Sequence, residues 1–145
     1  LWSRGLGDVY KRQPETQPIM LRLESSLTNL CLDAINKKLD AHKIEWSSMH
    51  SCGVVLASSG YPGNYEINKG IDIKNDFNEN EKLFHAGTKL KDDKILSSGG
   101  RVFCMTALGE TLEIAIDNAY NAIPKINFEG MFFRSDIGKK GLKND

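Results

Sequence analysis

The stretch of residues 82–108 restricts the possible folds of this chain more than any other segment. Residues 84–90 place their side chains alternately on two faces, with the period of two that is typical of a β-strand. A polar turn at 91–94 then reverses the chain. The glycines within 98–100 interrupt the pairing, and 102–108 is nearly all apolar, as in a strand covered on both faces. The pattern predicts an antiparallel meander at the centre of a small domain.

Amphipathic helices are predicted on either side of this meander. Apolar residues recur at helical spacing between Ile19 and Leu39, so residues 14–38 are predicted to form one continuous helix. A second apolar stripe runs from Leu112 to Ile123, and Pro124 ends it. These two segments would each need a partner surface, which the sheet can supply.

Shorter segments complete the predicted architecture. Residues 51–58 have a central apolar run typical of a buried strand, and 70–73 alternate like a short edge strand. Residues 59–65 hold two glycines and a proline around Tyr61, which favours an ordered loop. The fold class is therefore α+β, with a small antiparallel sheet that is curled or barrel-like and an amphipathic helix at each end of the chain.

The charge balance argues against nucleic acid or an anionic membrane as a partner, since 19 Lys and Arg residues face 19 Asp and Glu residues. No apolar run approaches the ~20 residues of a membrane span, and the first residues have no signal-peptide pattern. These features are typical of a cytoplasmic protein. Cys31, Cys52 and Cys104 are widely spaced in apolar settings, so they are expected to be reduced core residues rather than a disulfide frame or a zinc site.

Candidate ligand contacts lie in three places. The ordered loop could present Tyr61 to a ligand, or it could simply cap the sheet. His85 stands on a strand near Thr88, although a single histidine is commonly structural. Ser98-Gly99-Gly100-Arg101 places backbone N–H groups beside a guanidinium, which suits phosphate or carboxylate, or else forms a bulge with a surface arginine. The residues alone therefore indicate an accessory domain with anion contacts.

Several familiar sites are not present in the sequence. It has no GxxxxGK[ST] phosphate loop, no GxGxxG before a helix, and no paired carboxylates placed to hold Mg²⁺. Arg134 and Asp136 are expected to pair with each other near the C-terminal end.

Short strings along the chain resemble, in order and spacing, the C-terminal part of one enzyme family. The strings are PETQP at 14–18, GYPG at 60–63, FHAGTK at 84–89, SGGRV at 98–102, TALG at 106–109 and RSDIG at 134–138. From residue 14 onward the chain resembles the phosphoribosylamine–glycine ligases, also called glycinamide ribonucleotide synthetases.

The resemblance implies a parent enzyme with an ATP-grasp fold that joins glycine to 5-phosphoribosylamine in purine synthesis, through a glycyl phosphate. It implies ATP and Mg²⁺ (or Mn²⁺) as cofactors of the full-length enzyme. Glycine, the sugar amine and the other ATP-grasp lobes of the same chain are the implied partners. Residues 14–40 would be the end of the ATP-grasp domain with a linking helix, and 41–145 the C-terminal domain, which closes one side of the cleft.

Residues 1–13 depart from the family pattern and are expected to be a non-native or disordered leader. In the family, the strand before PETQ carries a Glu and an Asn that hold Mg²⁺, whereas Lys11-Arg12-Gln13 stands where Phe-Gly-Asp would be expected. The chain begins with Leu1 and not with Met, so it is expected to be a fragment. Because the nucleotide-binding lobes and the metal-binding strand of the family are not in this sequence, the fragment is expected to be inactive alone and to bind no cofactor. No catalytic residue and no metal ligand is carried over. The expected substrate contacts are Glu15, Tyr61, His85, Thr88, Gly99, Gly100 and Arg101.

Two alternatives from other functional classes stay open. Lys94 follows Asp92-Asp93 in a turn, as a lipoyl-carrying lysine follows an acidic turn, which would make the chain a carrier module. The chain could also be a stand-alone, non-catalytic domain that binds a small anion or a partner protein.

Overall fold

The computed structural model describes residues 15–39 and 44–143. Its helices are α1 (Thr16–Arg22), α2 (Leu27–Ile35) and α3 (Leu112–Ala122). Its strands are β1 (His50–Ser58), β2 (Ile71–Ile73), β3 (Glu81–His85), β4 (Thr88–Lys91), β5 (Lys94–Ser97), β6 (Arg101–Gly109), β7 (Ile126–Phe128) and β8 (Met131–Phe132). Single 3₁₀ turns lie at Ile123–Lys125 and Gly141–Lys143. The leader predicted at residues 1–13 lies outside the described residues, and the predicted domain boundaries stay predictions.

A four-stranded antiparallel sheet in the order β3-β6-β1-β8 forms the centre of the domain. The two long strands, β1 and β6, pair along most of their length because both carry apolar side chains on both faces. Residues 102–107 of β6 are all buried, which confirms the prediction of a strand covered on both faces.

Helices cover the two faces of this sheet. On one face α3 packs Ala115 and Ala119, both fully buried, against the side of the sheet that carries Val54. On the other face α1 lies so close that a Cβ added to Gly53 would be 2.7 Å from Cγ of Pro18. Since successive strand residues point to opposite faces, Gly53 and Val54 identify the two layers.

The predicted meander is bent, and its first strand is two strands. β3 ends before residue 86 and pairs with β6, whereas β4 pairs with β5 in a separate two-stranded arm. The amide of Gly87 donates to the carbonyl of Arg101 at 2.8 Å, and the amide of Ser98 donates to the carbonyl of Gly87 at 2.7 Å. A Cβ on Gly87 would lie 2.8 Å from Cα of Gly99, so the two backbones cross too closely for side chains. We call this bend, residues 86–87 and 98–100, the elbow.

The prediction of one continuous helix over residues 14–38 is wrong. The chain leaves the helix at Leu23, which forms a β-bridge with Trp46. A new helix begins after Ser26, whose hydroxyl accepts a hydrogen bond from the amide of Asn29 as a helix cap. The apolar stripe continues across this break because the non-helical residues occupy about one helical turn of sequence.

The α+β class is confirmed, but the barrel-like curl is wrong. The described strands form three separate sheets, none of them closed: the four-stranded sheet, the pair β2–β7 and the pair β4–β5. The prediction of a short strand at 70–73 is confirmed by β2, which pairs with β7.

The three cysteines differ in their environment. Cys52 and Cys104 are buried free thiols, as expected, and lie on opposite faces of the sheet. Cys31 is exposed on α2, so its expected place in the core is wrong. The only buried residue of α2 is Leu30, which shows that the described part of the chain covers little of this helix.

Stability is expected to fall above about pH 9 because of Cys52. Burial, and next the neighbouring Cys104, raise the pKa of the Cys52 thiol from its ordinary 9.0 to about 11. Between these values the unfolded chain releases the proton while the folded chain keeps it, so the free energy of unfolding falls as pH rises, by up to about 2–3 kcal/mol. Urea unfolding between pH 8 and pH 11 measures this loss. Over this pH range the free energy of unfolding should fall less in Cys52→Ala than in the control Cys31→Ala, which removes an exposed thiol. Equal falls in the two variants would contradict the expectation.

Candidate functional site

Most of the predicted ligand contacts gather at the elbow. Tyr61, His85, Gly100 and Arg101 line one cavity of about 600 Å³, which we call the elbow cavity. Gln17 of α1 also lines this cavity. The cavity therefore lies where α1, the loop after β1 and the elbow meet.

A β-bulge directs Arg101 into this cavity. Leu56 pairs with Phe103, but the next residue of β1, Ala57, pairs with Arg101, so Val102 is an extra residue in β6. Strict alternation would place Arg101 on the same face as Phe103, and one extra residue turns it to the opposite face. Arg101 accordingly lines cavities on the face that carries Val55 and Ala57.

Arg101 is half-buried, and its guanidinium has no ion-pair or hydrogen-bond partner among residues 15–39 and 44–143. Arg134 behaves differently: it pairs with Asp136 through Nε–Oδ1 at 2.9 Å and Nη2–Oδ2 at 2.6 Å, as predicted. Hydrogen bonding from Arg134 holds the pKa of Asp136 below its ordinary value. Arg101 is therefore the guanidinium at this site that can bind a ligand anion.

Tyr61 is positioned by a network that ties its loop to the elbow. Its amide donates to the carbonyl of Ser58 at 3.1 Å, and the amide of Ser58 donates to the carbonyl of Gly100 at 2.8 Å. The Ser58 hydroxyl donates to the carbonyl of Gly99 at 3.3 Å. The Tyr61 ring rests on Gly100, because an added Cβ there would overlap its Cδ2 atom. The prediction of an ordered loop is thus confirmed.

His85 and Thr88 contact each other at the margin of the elbow cavity. Nδ1 of His85 lies 3.0 Å from Oγ1 of Thr88, and the imidazole meets the edge of the Phe103 ring with 4.8 Å between centroids. Which of the two groups donates depends on the imidazole tautomer. His85 pairs with Phe103 across the strands, so its side chain shares the face that α3 covers, whereas Arg101 is turned to the other face. The two residues therefore reach the elbow cavity from different faces of the sheet.

Three predicted residues do not line the elbow cavity. Glu15 is exposed at the start of α1, Thr88 reaches the site through His85, and Gly99 supports it by its crossing with Gly87. Sequence reasoning missed Gln17 and Tyr65, which do line the cavity. The string PETQP held the signal for Gln17.

The described residues do not fit a metal site, because no group of three or more His, Cys, Asp or Glu side chains among them could hold a metal ion. Cys104 lines the elbow cavity, but burial raises the pKa of its thiol, and the hydrogen bond with Thr106 only partly opposes this. A thiol in such a setting is a poor nucleophile. The arrangement is suited to binding and orienting an anion.

None of the helices in the described ranges is both long enough and apolar enough to cross a membrane.

Comparison with known proteins relates the chain to one group of enzymes. The family model for the phosphoribosylglycinamide synthetase C domain matches residues 51–140. The phosphoribosylamine–glycine ligase of Vibrio vulnificus is 48% identical over 140 residues, covering 91% of this chain and 31% of that protein. The corresponding ligase of Salmonella typhimurium is 47% identical over 134 residues, with the same coverage. The crystal structure of phosphoribosylamine–glycine ligase from Thermotoga maritima matches with a TM-score of 0.66 and 32% identity, over 85% of this chain and 30% of that one. The chain thus spans about a third of the length of the relatives it matches.

Proposed function

We propose, from the premise that this chain belongs to the phosphoribosylglycinamide synthetase C-domain family, that it works as the C-terminal domain of a phosphoribosylamine–glycine ligase. The observation that carries the proposal is the 48% identity with a ligase of that name over 91% of this chain. The parent protein would join glycine to 5-phosphoribosylamine at the cost of ATP, in the cytoplasm. By this proposal the 145-residue chain has no ligase activity alone.

ATP with Mg²⁺ or Mn²⁺ would supply activation of the glycine carboxylate in the parent protein. The described residues offer no metal-ligand cluster, so we assign them no part in that step. The ligands for ATP and metal would belong to the other lobes of the parent enzyme. Exposed apolar residues of α2 support a contact with those lobes, since Leu27, Leu32 and Ile35 are between 51% and 75% exposed.

The proposed role of this chain is to form one wall of the substrate cleft. Arg101 would bind an anionic group, which is the phosphate of the sugar or the carboxylate of glycine. Gly100 allows close approach of the backbone, and the Tyr61 ring borders the bound group. The seven proposed substrate contacts remain Glu15, Tyr61, His85, Thr88, Gly99, Gly100 and Arg101.

A chimeric enzyme tests this function. Residues 15–145 replace the matching third of the Vibrio vulnificus ligase, and ATP-dependent formation of glycinamide ribonucleotide is measured. We expect activity from the chimera and none from the 145-residue chain. Arg101→Ala in the chimera should lower kcat/KM by about 10- to 100-fold, the effect of losing a charged hydrogen bond. Arg101→Lys keeps the positive charge and should retain part of the activity.

The matched control for the chimera is Arg134→Ala, because Arg134 is paired with Asp136 at the surface. It should leave kcat/KM within about twofold, since exposed ion pairs contribute little. A folded chimera without ligase activity would contradict the proposed function. An active chimera that is insensitive to Arg101→Ala would contradict only the assignment of the anion contact.

A further inference from the structure

A second, more apolar cavity of about 370 Å³ adjoins the elbow cavity on the same face of the sheet. Its apolar walls are Val55, Ala57, Pro62, Phe132, Phe133 and Ile137. We call it the apolar cavity. Three residues, Val55, Tyr61 and Arg101, line both cavities and so form the boundary between them.

The Tyr61 ring is the part of this boundary that separates the two cavities. Val55 lies within β1, where pairing with Cys104 fixes its backbone at the floor. The Tyr61 ring stands above that floor, with Gly100 beneath it and the ring of Tyr65 edge-on at 6.0 Å between centroids. The Tyr61 ring therefore has a close neighbour on two sides, Gly100 and Tyr65.

We infer that Tyr61 determines the ligand specificity of the elbow cavity, and that Gly100 is the residue that positions it. Arg101 borders both cavities, and the ring stands between them, so a ligand bound to Arg101 from the elbow cavity does not extend into the apolar cavity. The site therefore accepts a compact anion with a polar body, such as a sugar phosphate, and excludes anions that carry a bulky apolar group. This inference rests on the proposed function, because it takes the elbow cavity to be the substrate cleft.

The physical basis is a difference between two ligands of equal charge. A phosphate bound at Arg101 with a polar substituent keeps that substituent in the elbow cavity. An apolar substituent gains nothing there, but it would be removed from water if the apolar cavity were open to it. Removal of the Tyr61 ring joins the two cavities, so the preference between the two ligands should change while the anion contact remains.

Binding of ribose 5-phosphate and of phenyl phosphate to the complete 145-residue chain tests the inference. Amide NMR titrations at one ionic strength give the two dissociation constants. We expect the wild-type chain to prefer ribose 5-phosphate. In Tyr61→Ala the ratio of the two affinities should move about tenfold toward phenyl phosphate, the selectivity of a hydrophobic pocket for a small apolar group.

Two further variants keep the test independent of folding defects. Tyr61→Phe retains the ring and should retain the wild-type preference. Gly100→Ala displaces the ring and should move the preference toward phenyl phosphate, but it should have no further effect when added to Tyr61→Ala, because both changes act through the same ring.

An unchanged preference in both Tyr61→Ala and Gly100→Ala would overturn the inference. So would a wild-type chain that binds neither anion, or one that binds phenyl phosphate as tightly as ribose 5-phosphate. The outcome is independent of the ligase assay. An inactive chimera together with the expected change in preference would contradict only the proposed function. An active chimera without that change would contradict only the role of Tyr61.

Discussion

Phe103→Ala is expected to lower the free energy of unfolding by about 3–5 kcal/mol, the usual cost of removing a fully buried aromatic ring. Phe103 is 0% exposed and is the third residue of β6. Its ring lies 6.5 Å from that of Phe128 and 4.8 Å from the imidazole of His85, measured between centroids. The substitution would therefore leave a cavity between the core and the elbow. Since small domains are stable by only about 5–15 kcal/mol, urea unfolding should show a large shift of the midpoint.

Two variants give this expectation its controls. Phe103→Leu keeps most of the volume and should cost about 1–2 kcal/mol. Phe133→Ala removes an aromatic ring that is 37% exposed, so its loss should stay near about 1 kcal/mol. A loss in Phe103→Ala no greater than that in Phe133→Ala would show that β6 is not the centre of the core.

Lys125→Met should destabilise the fold by about 2–4 kcal/mol, because it leaves a buried carboxylate without its cation. Nζ of Lys125 lies 2.6 Å from Oε2 of Glu81 and 3.0 Å from the carbonyl of Asp76, and stands 5.3 Å from the centroid of the Phe77 ring. The Glu81 side chain is only 7% exposed. Hydrogen bonds from Asn78 to Glu81 would remain, and for this reason we expect less than the full cost of an isolated buried charge. Urea unfolding at pH 7 measures the loss.

The double variant Lys125→Met with Glu81→Gln separates the two contributions. Because the charge that Lys125 neutralises is then gone, the double variant should be more stable than the sum of the single losses predicts. Arg134→Met breaks an exposed ion pair as the matched control and should cost less than about 1 kcal/mol. Additive losses at Lys125 and Glu81 would show that the two charges are not coupled.

The parts of the fold that the sequence predicts well are those where periodicity and burial agree. The apolar run 102–108 favours a strand that is covered on both faces, and β6 is such a strand. The helix α3 begins where the Thr111 hydroxyl accepts a hydrogen bond from the amide of Ile114. The break between α1 and α2 could not be found from periodicity, because the stripe continues in phase across it. Its local signal was Ser25-Ser26, a pair that favours a helix cap over a helix interior.

The residues of the site likewise divide into those that local sequence indicates and those whose placement depends on packing. Short glycine-containing strings pointed to Tyr61, Gly100 and Arg101, because such strings mark close backbone approach and turns. The direction of Arg101 could not be predicted, since it depends on the extra residue Val102 and hence on the pairing of β6 with β1. The string PETQP indicated the segment that contains Gln17, but the position of this side chain in the cavity depends on how α1 docks on the sheet.

The placement of Cys52 and Cys104 on opposite faces has a practical consequence for following how the domain opens. Cys104 Sγ lies beneath α1, 3.1 Å from where a Cβ on Gly53 would stand, and Cys52 lies beneath α3, near Ile116. A thiol reagent can reach Cys52 only after α3 has lifted, whereas Cys104 also borders the elbow cavity, from which a small reagent can approach it. The labelling rate of Cys52 would thus report the detachment of α3, with Cys31, already exposed, as the internal standard of reagent reactivity.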